Sequence, residues 1–371
     1  GSAFGIGLRL SNLASLQLMK AGALQAFKDW LEEEDCYVFT MNGFPYGGFH
    51  HQRVKDQVHT PDWTTAERVQ YTLRLFRILA ALLPEGEDTR GNRMDGGVST
   101  SPLSYKLWFE KDEQKKEAAF EQATFNIIQV LEQLVRTRRS GGALLHLDIE
   151  PEPDGLIESS DELISWYNHY LLPLGVPVMQ EKFGLTEDEA VAVIRDHVQV
   201  CYDICHFAVG YEEPAGALEK FSREHIRIGK IQVSAALRVE MHQEASRRKA
   251  IAAALKPFNE SVYLHQVVAK AGNGRLSRYP DLPEALADID NPGVKEWRSH
   301  FHVPVFVKDF GLLQSTRDAI EKTLLLQRQQ PFTQHIEVET YTWEVLPVSL
   351  KLPLEESIAR ELSWVRERLI G

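Results

Sequence analysis

Residues Val198–His206 read VQVCYDICH. Apolar and polar side chains alternate along this run, the mark of a β-strand with one face in a core. The alternation breaks at Asp203 and His206, an acid and an imidazole three positions apart, just before FAVGYEEP. Two potential ligands therefore stand at a strand's C-terminal end. In parallel α/β barrels the chemistry is carried by residues at that rim, each contributed by a different strand.

The same layout recurs along the chain. LLHLDIEPEP from Leu144 places Leu145, Leu147 and Ile149 on one face and His146, Asp148 and Glu150 on the other. Because side chains alternate with a period of two, the apolar face meets helices and the polar face looks inward. IGKIQVSAA sets Gln232 and Ser234 opposite Ile231 and Val233; HFHVPVF carries His300 and His302; HIEVETYTWEVLP carries Glu337, Glu339 and Tyr341. Upstream, GLRLS and CYVFTMN read as strands, and the second runs into a Gly- and Pro-rich loop, GFPYGGFHHQ, holding His50 and His51 next to Asn42. Helical patterns separate these runs, including Thr64–Leu83, which begins with a Thr-x-x-Glu-like cap and stops at Pro84.

Strands alternating with helices point to α/β with a parallel sheet, and no glycine fingerprint for a dinucleotide or P-loop suggests a doubly wound alternative. We expect one domain over residues 1–371, a (β/α)8 TIM barrel with two insertions. The first is a polar surface loop at 85–97, EGEDTRGNRMDGG; the second is a hairpin excursion at 262–279, where Asn273-Gly274 suits a tight reversal. The barrel-type strands number seven, from GLRLS to HIEVETYT with HFHVPVF among them. An eighth either lies upstream of Gly1 or is supplied by VYLHQ.

Composition bounds the partners. With 41 basic and 53 acidic residues the formal net charge is −12, which repels a polyanion and leaves nucleic-acid binding unsupported. A small-molecule substrate fits better. Three cysteines, Cys36, Cys201 and Cys205, give no disulfide framework and no paired zinc motif, so a cytoplasmic setting is the expectation. Membrane insertion is not expected, because no apolar run approaches the roughly 20 residues of a span.

A closed parallel barrel gathers Asn42, His50, Glu150, Asp203, His206, Gln232, His302 and Glu339 at one mouth. All offer oxygen or nitrogen, a donor set that suits a divalent metal, Mn, Mg, Co or Zn. Substrate contacts are assigned to Asn42, His50, His265, Arg298 and Trp343. Glu152 and Glu337 are read as solvated or salt-bridged, and Cys201 and Cys205 as small buried hydrophobes.

The run of DIEPEP, CYDICH, IQVSAA, HFHVP and ETYTWEVLP, with FTMNGFPYGGFH upstream, resembles the metabolite-traffic protein EboE family over nearly the whole chain. That family belongs to the xylose-isomerase-like TIM barrels, the class of sugar phosphate isomerases and epimerases and of endonuclease IV. The resemblance implies metal ligands Glu, Asp, His and Glu at successive strand ends. Glu150, Asp203 and Glu339 match three of these; Gln232 stands where the His is expected, with His206 or His302 available to complete the shell. It also implies a segment ahead of GLRLS. Three functions follow as expectations: an isomerase or epimerase with Glu150 and Glu339 as its proton-transfer pair, a non-catalytic metabolite carrier serving a membrane-associated export or prenylation system, and an endonuclease IV-like repair enzyme. The acidic balance disfavours the last.

Overall fold

The computed structural model describes residues 3–48, 55–86, 93–259, 263–340, 342, 346, 351 and 353–371. In chain order its strands are β1 (Phe4–Arg9), β2 (Cys36–Asn42), β3 (Gly96–Thr100), β4 (Leu145–Ile149), β5 (Val198–Asp203), β6 (Ile228–Val233), β7 (Ala235–Glu240) and β8 (Val267–Ala271). There follow β9 (Leu276–Tyr279), β10 (Val294–Val303), β11 (Asp309–Phe310), β12 (Leu313–Ser315) and β13 (Ile336–Val338). Strands β1 to β6 and β13 form one parallel sheet in that order. It curls into a nearly closed barrel. The two edges face each other, because a Cβ added to Gly7 of β1 would lie 1.9 Å from Glu337 Oε1 on β13.

Helices cover the outside, as the helical patterns between strands require. Ala66–Leu82 is capped by the Thr65 hydroxyl, which accepts from the Arg68 amide, and buries Leu75, Ile78 and Leu79. Glu113–Arg139 adds Ile127, Leu131 and Leu134 to the same core.

Several expectations are corrected here. The barrel has seven parallel strands among the described residues, the number counted from the sequence, but they are not the same seven. HFHVPVF is not one of them: it ends β10, which pairs antiparallel with β7 and β8. Its place in the count is taken by β3, which begins inside the stretch expected to be a surface loop at 85–97; residues 87–92 lie outside the described residues. VYLHQ does not supply an eighth strand either. It leads into the antiparallel hairpin β8–β9, which belongs to a larger sheet of order β11-β12-β7-β10-β8-β9 inserted between β6 and β13.

The inserted sheet is tied to the barrel's mouth. β7 follows β6 after the single residue Ser234, and the end of β10 returns His300 and His302 to the rim. Inside the barrel the period of two stacks polar side chains in tiers. On β4 they are His146, Asp148 and Glu150; along β13 they are His335, Glu337 and Glu339. The fully buried Lys230 ammonium donates to Glu337 at 2.7 Å in the middle tier. A side chain at position 229 would strike Asp148, with an added Cβ 1.9 Å from its Oδ1, so glycine there makes room for the carboxylate.

Candidate metal and active site

Glu150 follows β4, Asp203 ends β5 and Glu339 follows β13, all at the C-terminal rim. One carboxylate oxygen from each lies within 4.8 Å of the others. Asp203 Oδ1 accepts from the Ser234 hydroxyl at 2.6 Å and from the His206 amide at 3.2 Å, which caps the short helix Ile204–Val209. Asn42 Nδ2 donates to Glu339 Oε1 at 3.1 Å. Glu150 Oε2 and Asp203 Oδ2 are buried and meet no N–H or hydroxyl donor among the described residues.

Burial first, and then repulsion from Asp203, pushes Glu150 well above the usual carboxylate range. Glu339 is driven the same way by burial and by Glu150 and Asp203. Asp203 goes down: burial raises it, but His206, His302 and hydrogen bonds from Glu339 and Ser234 outweigh the burial. Burial and mutual repulsion thus make this set one whose charge must be offset by protons or a cation.

Two histidines carry a second sign of a cation. His206 Nδ1 faces the Pro151 carbonyl at 3.0 Å, so this nitrogen bears the hydrogen. His300 Nδ1 faces Gln266 Oε1 at 3.0 Å, and the amide's orientation is fixed because Gln266 Nε2 donates to the Pro153 carbonyl at 3.1 Å. Both Nδ1 atoms thus donate, and the two Nε2 lone pairs point at each other across 3.0 Å. Burial lowers the basicity of His206 and, with His206 and His302 adding to it, pushes His300 well below the usual value. Either a proton or a cation shared between the two nitrogens would relieve this contact. Glu152 offers a carboxylate oxygen within 4.8 Å of both rings; Asp203, His206 and His302 form another such set. His302 Nδ1 donates to the Glu339 carbonyl at 3.0 Å, directing its basic Nε2 elsewhere.

Glu150, Glu152, His206, His300, His302 and Glu339 open on a cavity of about 250 Å³, also lined by Arg9, Asn42, Phe44, Lys55, His59, Tyr263 and Gln266; Asp203 lies behind them and does not line it. Arg9 donates to the Gly47 carbonyl at 3.0 Å, and Lys55 pairs with Asp281 at 2.5 Å. Positive charge at the mouth thus lies over an acidic floor.

The structure brings Glu150, Asp203, His206, His302 and Glu339 together and sets Asn42 on Glu339. Gln232 is fully buried on β6, but its Oε1 accepts the Cys201 thiol at 2.9 Å and it does not line the cavity. His265 is turned toward Phe301 and the His300 carbonyl, and Arg298 lies over the Tyr211 ring at 4.1 Å while donating to the Ala208 carbonyl; neither lines the cavity. His50 and Trp343 lie outside the described residues. Glu337 is salt-bridged as expected, and Cys201 and Cys205 are buried. Glu152 is not solvated. It is buried, pushed well above its usual range by burial and by Glu150, and its Oε1 lies 3.2 Å from His59 Nε2. The sequence reading missed His59, Lys55 and Gln266 in the cavity wall; none sits on a rim strand, so strand parity carried no signal for them.

No protein-family model matches the chain, and no curated protein does. Among solved structures it is similar to a xylose isomerase domain protein from Planctomyces limnophilus, with 11% identity over 99% of this chain and 97% of that one, TM-score 0.49. A xylose isomerase-like TIM barrel protein from Mycobacterium smegmatis, in complex with magnesium, matches at 11% identity over 99% of this chain and 85% of that one, TM-score 0.47. The probable 3-DHS dehydratase AsbF of petrobactin synthesis from Bacillus anthracis matches over 64% of each chain, at 8% identity and TM-score 0.33. Xylose isomerase-like TIM barrels thus stand among its structural neighbours. Among the described residues, no helix is long and apolar enough to cross a membrane.

Proposed function

We propose that this protein is a divalent-metal-dependent isomerase or epimerase acting on a small polyhydroxylated substrate, a sugar, sugar phosphate or cyclitol. The observation that carries the reading is the convergence of three carboxylates, Glu150 and Asp203 buried and Glu339 half-buried, within 4.8 Å of one another at the rim, with Glu150 and Glu339 lining the cavity and buried oxygens of Glu150 and Asp203 left without a hydrogen-bond partner among the described residues. Carboxylates packed this closely repel unless protons or a cation offset them, so the residues fit a metal. Glu150, Asp203 and Glu339 would hold it, with His206 and His302 at hand. An oxygen-rich set of this kind admits Mn, Mg, Co or Zn. When bound, the ion would offset negative charge developing on substrate oxygens.

The chain's own residues perform the rest. Glu150 and Glu339 approach the cavity from the ends of two different strands, β4 and β13, so each can reach a substrate held there. One takes a proton from a carbon next to the carbonyl; the other returns a proton to the neighbouring carbon or to the opposite face. Asn42 holds Glu339 Oε1 and leaves the second oxygen for the transfer. Arg9 provides positive charge at the entrance for an anionic substituent, while the Lys55 ammonium is taken up by Asp281. A role within the biosynthetic, metabolite-traffic setting implied by the EboE resemblance belongs to the same proposal.

A second reading has one observation in its favour. Gln232 replaces the expected histidine and spends its carbonyl oxygen on Cys201, so the ligand set is one short, as in a carrier that binds without turnover. Solvent exchange separates the two. Metal-loaded protein is incubated with ketoses, aldoses and inososes in D2O and the carbon-bound hydrogens are followed by NMR. Exchange that falls by about 10²-fold or more in Glu150→Gln or Glu339→Gln supports the enzyme. Binding by calorimetry with no exchange in any substrate supports the carrier.

A further inference from the structure

The opposite end of the barrel holds a second constellation that the proposed chemistry does not use. Asp95 precedes β3, His146 lies on β4 and His335 precedes β13, and their donor atoms lie within 4.8 Å of one another. His335 Nε2 is 3.1 Å from Asp95 Oδ1 and His146 Nε2 is 3.7 Å from Asp95 Oδ2. Donors around a tetrahedral zinc with bonds of roughly 2.0–2.1 Å sit about 3.3 Å apart, so this spacing is already close to that of a filled site.

Two further observations point to a ligand. Asp148, fully buried one tier above, faces His146 Nδ1 at 2.6 Å. That contact fixes the ring so that Nε2 is the nitrogen presented to Asp95, the carboxylate–histidine arrangement that orients imidazoles on metals. His335 is buried as well, and it turns its Nε2, the nitrogen in position to ligate, toward Asp95. Access comes from one side: Asp95 is partly exposed and lines an opening of about 690 Å³ with Leu144, Gln199, Gly229 and Thr333. The facing charges are Asp148 and, one tier up, Lys230, whose ammonium is committed to Glu337.

We propose that Asp95, His146 and His335 form a second divalent-metal site at the N-terminal end of the barrel, selective for a borderline cation such as Zn2+ or Co2+ and open to solvent on the Asp95 side. Two imidazoles and one carboxylate suit such ions better than Mg2+ or Ca2+, which prefer oxygen alone. The proposal is independent of the rim chemistry.

Cobalt provides the test. The rim is disabled by combining Glu150→Gln and Asp203→Asn with His206→Ala and His300→Ala, which also removes the Glu152, His206 and His300 set, folding is checked by circular dichroism, and Co2+ is titrated while visible d–d absorption and bound metal are measured. One equivalent of four- or five-coordinate Co2+ is expected. It should weaken by about 10–100-fold in Asp148→Asn, the range for loss of an orienting partner. In Asp95→Asn and in His335→Gln it should be lost. The two substitutions differ in burial, so a fold defect in one leaves the other to decide. Absence of cobalt binding in the rim-disabled chain, or binding that survives both substitutions, would overturn the site and leave an ion-paired His146 between two carboxylates.

Discussion

His206 and His300 present their Nε2 atoms to each other at 3.0 Å, and each ring's Nδ1 hydrogen is already committed, to the Pro151 carbonyl and to Gln266 Oε1. Two basic nitrogens so placed destabilise the metal-free chain and reward a cation. Removing divalent metal with a chelator is therefore expected to lower Tm, and restoring it at about 100-fold over Kd to add about 2.7 kcal/mol. His300→Ala should shrink that gain while costing the metal-free chain little, because one of the opposed lone pairs is gone. Differential scanning calorimetry on the four combinations checks this; a Tm indifferent to chelation sinks it.

Gly7 is where the barrel's edges meet. An added Cβ would lie 1.9 Å from Glu337 Oε1 and 2.5 Å from Cδ, and the carboxylate cannot swing aside without leaving the buried Lys230 ammonium. Gly7→Ala is expected to destabilise by roughly 2–4 kcal/mol, the scale of disturbing a buried ion pair. Urea unfolding of Gly7→Ala in the parent chain and in a Glu337→Ala chain, where the clashing atoms are gone, reads the coupling. Equal losses in the two chains would mean that the clash is not with Glu337.

Cys201 donates its thiol to Gln232 Oε1 at 2.9 Å, and both are fully buried. Cys201→Ala leaves that carbonyl oxygen unsatisfied and should cost about 1–3 kcal/mol. Cys201→Ser, which keeps a donor, should cost less. Equal losses in denaturant midpoints for the two variants would show that packing, not the hydrogen bond, holds the pair.

How far the sequence reveals this site follows from which contacts are local. The parity of LHLDIE fixes His146, Asp148 and Glu150 on one face, and the barrel interior lies on that face. β3 escaped because GGVST offers no alternation; Gly97 stands there since a Cβ would lie 2.4 Å from Asp148 Oδ2, a constraint set by another strand. HFHVPVF alternates like a barrel strand, yet periodicity says nothing of which strand it pairs with, and its partners are antiparallel. Glu152 lies between two prolines past the end of β4, and its burial depends on His59, 93 positions upstream by number. Contacts of that range leave no trace in a local pattern.

Glu361 provides a pH test away from the rim carboxylates. It lies on the closing helix Leu354–Ile370, almost wholly buried, and its Oε1 accepts from the Val305 amide at 2.9 Å and the Thr340 hydroxyl at 3.0 Å. Burial raises its pKa from 4.5 to about 7, outweighing those two donors. The folded chain therefore holds a proton that the unfolded chain releases between about pH 4.5 and 7, so stability falls as pH rises through that window and levels off above it. Below pH 4.5 both states are protonated and the group is neutral to stability. The loss by pH 8 is on the order of 3 kcal/mol. Glu361→Gln keeps an acceptor at Oε1 and carries no charge to bury. It should match the parent chain at pH 4.5, exceed it at pH 8, and flatten the curve between. Denaturant titrations at the two pH values decide it: a Gln variant that gains nothing at pH 8 would show that Glu361 is ionised in the folded chain, its charge carried by the Val305 and Thr340 donors.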